Sequence, residues 1–182
     1  MPFNFITTPI SSLLIVEPRV FADERGFFME TYKESEFNSA GIAESFVQDN
    51  HSYSSRGVLR GLHFQTAPHA QGKLVRVVRG AVWDVAVDLR PDASTYGQWH
   101  SAELNERNNR MFYIPPGFAH GFLTLEDNTH FMYKCTAEYA PDADGGIRWD
   151  DPDIAVDWPL KTGESPDVSE KDSELPYLKD LL

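Results

Sequence analysis

A short segment near the middle of the chain combines an arginine, a histidine and, slightly further on, a lysine. Residues 60–65 are Arg-Gly-Leu-His-Phe-Gln, and Lys73 follows eight residues after this segment. An imidazole exchanges its proton near neutral pH, and fixed cations stabilise the negative charge that develops when a proton leaves carbon. Arg60, His63 and Lys73 therefore indicate proton abstraction next to a carbonyl group, on a substrate that is itself anionic.

The elements that must position these side chains are mainly strands. Short apolar and β-branched runs alternate with Gly, Pro, Asn and Asp, which is typical of an all-β sandwich or barrel. Helix is predicted only for residues 33–40 and for a short piece near the C-terminus. The predicted strands are 13–16, 26–31, 46–49, 58–64, 73–79, 82–89, 98–104, 111–114, 119–125 and 130–138.

Two details of the strand pattern bear on the site. Residues 82–89 alternate, and we expect the face with Trp83 to pack in the core, Asp84 to point into a barrel and Asp88 to face solvent. Arg60 and His63 have opposite parity, so a regular strand would direct them to opposite faces. A bulge at Gly61, the glycine between them, would bring both to one side.

Length and composition indicate one domain with a substantial core. The chain has 182 residues, of which 41% are hydrophobic and 13% aromatic. We divide this domain, residues 1–182, into an N-terminal strand region (1–50), a barrel core (about 51–140) and a C-terminal segment (141–182). The last segment is rich in Pro, Asp and Glu, and we expect it to wrap over the body without pairing in a sheet.

Charge and the remaining composition limit the partners. The formal net charge of -12 argues against nucleic acid as a partner, because nucleic-acid binders need a basic surface. No run approaches the roughly 20 apolar residues of a membrane helix, and the N-terminus lacks the pattern of a signal peptide. We therefore expect a cytoplasmic protein without a membrane partner. The single cysteine, Cys135, lies in an apolar strand and is predicted to be a buried thiol.

Two spacings resemble the signature motifs of the cupin superfamily, which are jelly-roll barrels. Gly57 precedes His63 with five residues between, and residues 115–120 form Pro-x-Gly-x-x-His, ending at His120. Metal-binding cupins carry His-x-His and a following Glu in the first motif, whereas this chain has Gln65 and no such Glu. Two imidazoles and an amide are a weak ligand set, so we predict no catalytic metal.

The chain as a whole resembles the dTDP-4-dehydrorhamnose 3,5-epimerase family within that superfamily. The resemblance implies a jelly-roll barrel, a homodimer and no cofactor. It also implies that dTDP-4-keto-6-deoxy-D-glucose is epimerised at C3 and C5 through enolate intermediates, in dTDP-L-rhamnose biosynthesis. The C4 ketone of that sugar acidifies both carbons, so a base, an acid and a cation at the enolate oxygen are required. The resemblance rests on residues 20–28, 46–52, 58–65, 71–76, 84–88, 114–122, 133–135 and 169–172.

The resemblance also implies roles for individual residues. His63 would be the base, Asp172 the carboxylate that orients it, Tyr133 the acid, and Lys73 the cation at the enolate oxygen, held by Asp84. From the residues alone, Asp172 is equally compatible with a solvated acid, and Tyr133 with a core aromatic. The implied substrate contacts are Arg25, Phe27, Glu30, Gln48, Asn50, Arg60, His120, Tyr139, Asp144 and Lys171. Among these, Phe27 and Tyr139 would stack on thymine, and Asp144 replaces a Glu that we expect in the family.

Several alternatives remain at this point. One is a related enzyme that inverts a single carbon, or a ketoisomerase of the same fold. Others are a metal-dependent cupin and a non-catalytic sugar-binding barrel. The dimer would also allow Arg25 or Phe27 to serve the site of the other subunit.

Overall fold

The computed structural model describes residues 1–181, which form two six-stranded sheets, counting a short strand at one edge, and a separate hairpin. The helical elements are α1 (Glu34–Ser39), α2 (Glu170–Ser173) and 3-10 turns at Pro141–Ala143 and Leu178–Asp180. The strands are β1 (Phe3–Thr7), β2 (Leu14–Pro18), β3 (Val20–Asp23), β4 (Gly26–Met29), β5 (Gln48–Ser54), β6 (Val58–Gln65), β7 (Lys73–Arg79), β8 (Ala81–Asp88), β9 (Trp99–Asn105), β10 (Met111–Ile114), β11 (Phe118–Thr124), β12 (Thr129–Cys135), β13 (Asp144–Gly146) and β14 (Asp167–Val168).

The two sheets face each other as the walls of a barrel. One has the order β1-β2-β10-β7-β12-β5 and the other β13-β6-β11-β8-β9, with β14 parallel to β6. Their inward side chains fill one half of the interior with an apolar cluster that includes Val75, Phe112 and Phe131. The other half of the interior, between β6, β7 and β12, carries polar side chains. The all-β jelly-roll prediction is confirmed, and within residues 1–181 no helix is both long and apolar enough to cross a bilayer.

The C-terminal segment covers the outer face of the second sheet. Ile147, Ile154 and Trp158 pack on outward residues of β6, β8 and β11 and are nearly inaccessible to solvent. The expected wrap is therefore confirmed, but the expectation that this segment forms no sheet is wrong. Both β13 and β14 pair with β6, because β6 would otherwise present an open edge.

Strand β8 is buried on both faces, which corrects one prediction made from its alternation. The Trp83 face packs under the C-terminal segment, whereas Val82, Ala86 and Asp84 face the barrel interior. Asp88 does not face solvent; it is completely buried. Its carboxylate accepts hydrogen bonds from Arg90 at 2.9 and 2.6 Å and also accepts from the hydroxyl of Thr95. These two partners come from the loop after β8, so the alternation could not reveal them.

The bulge predicted at Gly61 is present. On β11, His120 pairs with His63 and Phe122 pairs with Arg60. Between these pairs, two residues of β6 lie opposite a single residue of β11. Gly61 has a φ of 134°, and a methyl carbon there would lie 2.5 Å from the Cα of Gly121. Glycine is thus required on both strands where they approach most closely.

Candidate functional site

His63 and Asp172 form the contact that organises the site. The imidazole Nε2 lies 2.7 Å from Asp172 Oδ1, although 109 residues separate the two in sequence. Asp172 is fixed by α2, where its backbone N–H donates to the Ser169 hydroxyl that caps the helix. Its other oxygen accepts the Gly61 N–H at 3.1 Å, so the bulge and the carboxylate stabilise each other.

The surroundings of Asp172 favour the ionised form of its carboxylate. Burial alone would raise the pKa of Asp172, but the hydrogen bond and charge of His63 oppose this, as do the hydrogen bonds from Gly61 and Ser169. The net result is a pKa below the usual value for aspartate. An ionised carboxylate fixes the orientation of the imidazole and stabilises it once it has accepted a proton. The His63 side chain is 33% exposed and borders an open cavity.

The cavity in front of His63 has a volume of about 320 Å³. Lys73 on β7 and Tyr133 on β12 contribute to its wall, because their strands are neighbours and both side chains point inward. Burial lowers the pKa of Lys73 and raises that of Tyr133. The site thus combines the imidazole of His63 with a half-buried phenol and a desolvated ammonium. The lining residues are Ser52, Arg60, His63, Lys73, His120, Phe122, Tyr133, Ser169, Lys171 and Asp172.

His120 is held by a buried carboxylate at the floor of the cavity. Its Nε2 lies 2.9 Å from Asp84 Oδ2, and both side chains are almost fully buried. Burial lowers the pKa of His120 and raises that of Asp84. The expectation that Asp84 holds Lys73 directly is wrong. Within residues 1–181 the Asp84 carboxylate is hydrogen-bonded to His120, and it interacts with Lys73 only through longer-range electrostatic attraction.

A second cavity of about 230 Å³ adjoins the first and shares His63, Lys73, Tyr133 and Lys171 with it. The Lys171 ammonium lies 2.6 Å from Asp144 Oδ2, which also accepts the Tyr139 hydroxyl at 3.3 Å. The Tyr139 ring is largely exposed and is free to stack on a planar ligand. The remaining lining residues are Gln48, Asn50, Phe64, Gln65, Gln71, Tyr139 and Asp144.

Gln65, which stands where metal-binding cupins carry the second histidine of His-x-His, has a structural role. The Gln65 amide donates to the carbonyl oxygens of His69 and Glu138 and accepts the N–H of Ala140. Its polar atoms are therefore committed to two loops, the one after β6 that contains His69 and the one that carries Tyr139. Within residues 1–181, no group of three or more His, Cys, Asp or Glu side chains is arranged around a possible metal position. Cys135 is a buried free thiol, as predicted.

Three of the expected substrate contacts lie away from the cavities. Arg25 and Phe27 belong to the hairpin β3–β4, and Glu30 follows that hairpin. Within residues 1–181 the two strands of the hairpin pair only with each other. Arg25 forms an exposed ion pair with Asp23, and the Phe27 ring is 62% exposed. A single chain therefore does not bring these residues to the others, and their roles stay predictions.

Several residues that line the two cavities were not predicted from the sequence as site residues. Ser169 stands three residues before Asp172, and the Ser-x-x-Asp spacing at a helix start could have indicated its capping role. Phe122 and Ser52 carry no comparable signal, because inward residues of a barrel strand look alike whether they line a site or a core. Gln71 lies in the loop before β7, where no periodicity indicates the direction of a side chain.

Comparison with known proteins agrees with this geometry. A curated dTDP-4-dehydrorhamnose 3,5-epimerase of Methanothermobacter thermautotrophicus is 55% identical over 170 residues, covering 93% of this chain and 91% of that protein. The crystal structure of RmlC from Legionella pneumophila in complex with dTDP-4-keto-L-rhamnose matches with a TM-score of 0.93. That match has 47% identity and covers 97% of this chain and 93% of that one.

A more distant structure has a narrower activity. ChmJ of Streptomyces bikiniensis, a 3'-monoepimerase solved with dTDP-quinovose, matches with a TM-score of 0.88 at 31% identity, covering 95% of this chain and 87% of that chain. The sequence profile described as dTDP-4-dehydrorhamnose 3,5-epimerase matches residues 7–180, which is nearly the whole chain. The chain therefore belongs to the dTDP-4-dehydrorhamnose 3,5-epimerase family.

Proposed function

We propose that this chain epimerises dTDP-4-keto-6-deoxy-D-glucose at C3 and C5, giving dTDP-4-keto-L-rhamnose, with His63 as the base. The observation that carries the proposal is the 2.7 Å contact between His63 and Asp172 at the edge of a cavity that also holds Lys73 and Tyr133. Asp172 occupies one ring nitrogen of His63. The other nitrogen takes the proton from carbon, and the ionised carboxylate stabilises the imidazolium that results.

Lys73 and Tyr133 complete the chemistry. Removing a proton next to the C4 ketone transfers negative charge to the ketone oxygen, and a buried ammonium stabilises that charge far better than water does. Tyr133 then returns a proton to the opposite face of the carbon. Because burial raises the pKa of Tyr133, the phenol remains protonated under neutral conditions and is available as an acid. Between the two epimerisations the His63 imidazolium releases its proton to solvent and the Tyr133 phenolate takes one up. The same residues then act at C3 and at C5, since both carbons flank the ketone.

The nucleotide half of the substrate occupies the adjoining cavity in this proposal. Tyr139 stacks on thymine, and Lys171 binds the diphosphate, for which it must exchange its contact with Asp144. Gln48 and Asn50 complete this part; they are linked by a 3.0 Å hydrogen bond, and the Gln48 amide oxygen accepts the Tyr139 N–H. Arg60, at the other end of the cavity, supplies a planar pair of donors for anionic oxygens.

We further propose that the protein acts as a homodimer in which Arg25, Phe27 and Glu30 complete the site of the partner subunit. Support comes from the hairpin β3–β4, whose rings Phe21, Phe27 and Phe28 are 48–66% exposed. It also comes from β5, an edge strand whose outer side pairs with no other strand in the described part of the chain. Exposed aromatic groups and an open edge favour association with another chain. A reduced buried thiol is typical of the cytoplasm, where we propose that the enzyme works.

The decisive test is incubation of the protein with dTDP-4-keto-6-deoxy-D-glucose in D₂O, followed by proton NMR of the sugar. Replacement of hydrogen by deuterium at both C3 and C5 supports the double epimerase. Replacement at C3 alone would assign the chain to the activity described for ChmJ, the structurally related monoepimerase. If neither C3 nor C5 exchanges its hydrogen, this proposal is refuted.

A further inference from the structure

Ser52 on β5 has a hydroxyl group that the proposed chemistry does not yet use. The residue lines the larger cavity together with Arg60, His63 and Tyr133. Its Oγ is shielded from solvent, and among residues 1–181 it has no hydrogen-bond partner. Buried side-chain oxygens without a partner are uncommon in folded proteins, so each one calls for an explanation.

The other inward residues of β5 all have partners. Gln48 and Asn50 bond to each other, Asn50 also donates to Cys135 Sγ, and Ser54 Oγ accepts from Arg60 Nε at 3.3 Å. Ser52 is thus the exception in a row of polar side chains that are otherwise used to hold the site together. Because its present rotamer forms no hydrogen bond, rotation about the Cα–Cβ bond toward the cavity gives up no contact.

The position of Ser52 indicates which part of a ligand it would meet. It lines the larger cavity, which also contains Arg60, His120 and Asp172 and where the proposed function places the reacting carbons. It does not line the adjoining cavity that contains Tyr139, although both cavities share His63, Lys73 and Tyr133. A neutral hydroxyl both donates and accepts, which suits a sugar hydroxyl, whereas a phosphate is better matched by a cation.

We propose that the Ser52 hydroxyl binds a hydroxyl group of the hexose and so fixes the rotation of the sugar ring between His63 and Tyr133. This inference rests on the proposed function, because the hexose is the substrate of that reaction. Ser52 is then a residue that recognises the sugar and makes no contact with the nucleotide. Losing one neutral hydrogen bond to the substrate corresponds to a decrease in kcat/KM of about three- to tenfold.

The test compares Ser52→Ala with Ser12→Ala, whose hydroxyl is likewise buried and without a partner but lines neither cavity of the site. Three quantities are measured for both variants and the wild type: kcat/KM for dTDP-4-keto-6-deoxy-D-glucose, the Kd of dTDP, and the melting temperature. We expect Ser52→Ala to lose about three- to tenfold in kcat/KM with an unchanged Kd for dTDP. Ser12→Ala should match the wild type in kcat/KM and in the Kd of dTDP.

Two results would overturn the inference while leaving the proposed function intact. One is an unchanged kcat/KM in Ser52→Ala. The other is a loss of dTDP affinity in Ser52→Ala that equals its loss in kcat/KM, which would indicate a general effect on the cavity wall. If instead the wild type produces no deuterium exchange at C3 or C5, the substrate assignment fails, and the inference fails with it. The wild-type exchange measurement therefore separates the two failures.

Discussion

Arg60 and His63 lie three residues apart on β6, yet they pair with Phe122 and His120, which lie only two residues apart on β11. The extra residue of β6 reverses the alternation of the strand, so that the guanidinium of Arg60 and the imidazole of His63 reach the same cavity. The bulge also directs the Gly61 N–H toward Asp172. One local irregularity thus connects the arginine, the histidine and the carboxylate of the site.

Replacing Gly61 should damage both stability and activity. In Gly61→Ala, the new methyl group would collide with the backbone of Gly121, and the φ of 134° is unfavourable for alanine. We expect a loss of about 2–4 kcal/mol in the free energy of unfolding, measured by urea denaturation. The control is Gly163→Ala, where φ is also positive but no atom lies within 4 Å, and only about 1–2 kcal/mol should be lost. Equal losses in the two variants would contradict the steric explanation.

Asp172 should matter for turnover more than for substrate binding. In Asp172→Asn, the imidazole loses the ionised partner that orients it and stabilises its protonated form, so kcat should fall by about 10²–10³-fold. The Kd of dTDP should stay close to that of the wild type, because Asp172 lines the cavity of the hexose and is absent from the adjoining one. Asp157→Asn, an exposed aspartate, is the matched control. A kcat within about threefold of the wild type would argue against His63 as the base.

At alkaline pH, the decrease in kcat/KM should follow the deprotonation of Lys73. Burial lowers the pKa of its ammonium, so Lys73 loses its proton at a lower pH than an exposed lysine does, whereas burial raises the pKa of the Tyr133 phenol. Activity should therefore decline as the pH rises through the lowered pKa of Lys73. Arginine stays protonated across this range, so the activity that remains in Lys73→Arg should decline only at higher pH. An unchanged alkaline midpoint in a kcat/KM profile would show that another group controls it.

The proposed exchange of residues between subunits can be tested with a mixed dimer. Arg25→Ala and His63→Asn chains with different tags are coexpressed, and the heterodimer is purified. If Arg25 serves the partner's site, one of the two sites in this heterodimer contains no substitution, and about half of the wild-type activity should return. If Arg25 serves its own site, neither site is intact, and the heterodimer should be no more active than the mean of the two homodimers.

The sequence was most informative where a local rule determines the geometry. The opposite parity of Arg60 and His63, with a glycine between them, predicted the bulge that the register of β6 and β11 confirms. Most of the barrel strands also followed from the alternation of apolar residues between turn residues. The burial of Asp88 escaped this approach because its partners, Arg90 and Thr95, lie in a loop whose path no periodicity describes.

Long-range pairing was the other limit. The contact of Asp172 with His63 spans 109 residues, and only the family resemblance suggested it. The strands β13 and β14 contain just three and two residues, too few to show alternation, and they form because the edge of β6 is available to them. Arg25, Phe27 and Glu30 cannot be assigned from one chain at all if a second subunit completes the site.

The proposed function depends above all on His63 as the group that removes hydrogen from carbon, and deuterium incorporation in His63→Asn tests this directly. The variant is incubated with dTDP-4-keto-6-deoxy-D-glucose in D₂O, and the signals of C3 and C5 are followed by NMR. We predict that exchange at both carbons slows by at least about 10²-fold, while dTDP still binds. Exchange that continues at the wild-type rate at either carbon would contradict this assignment.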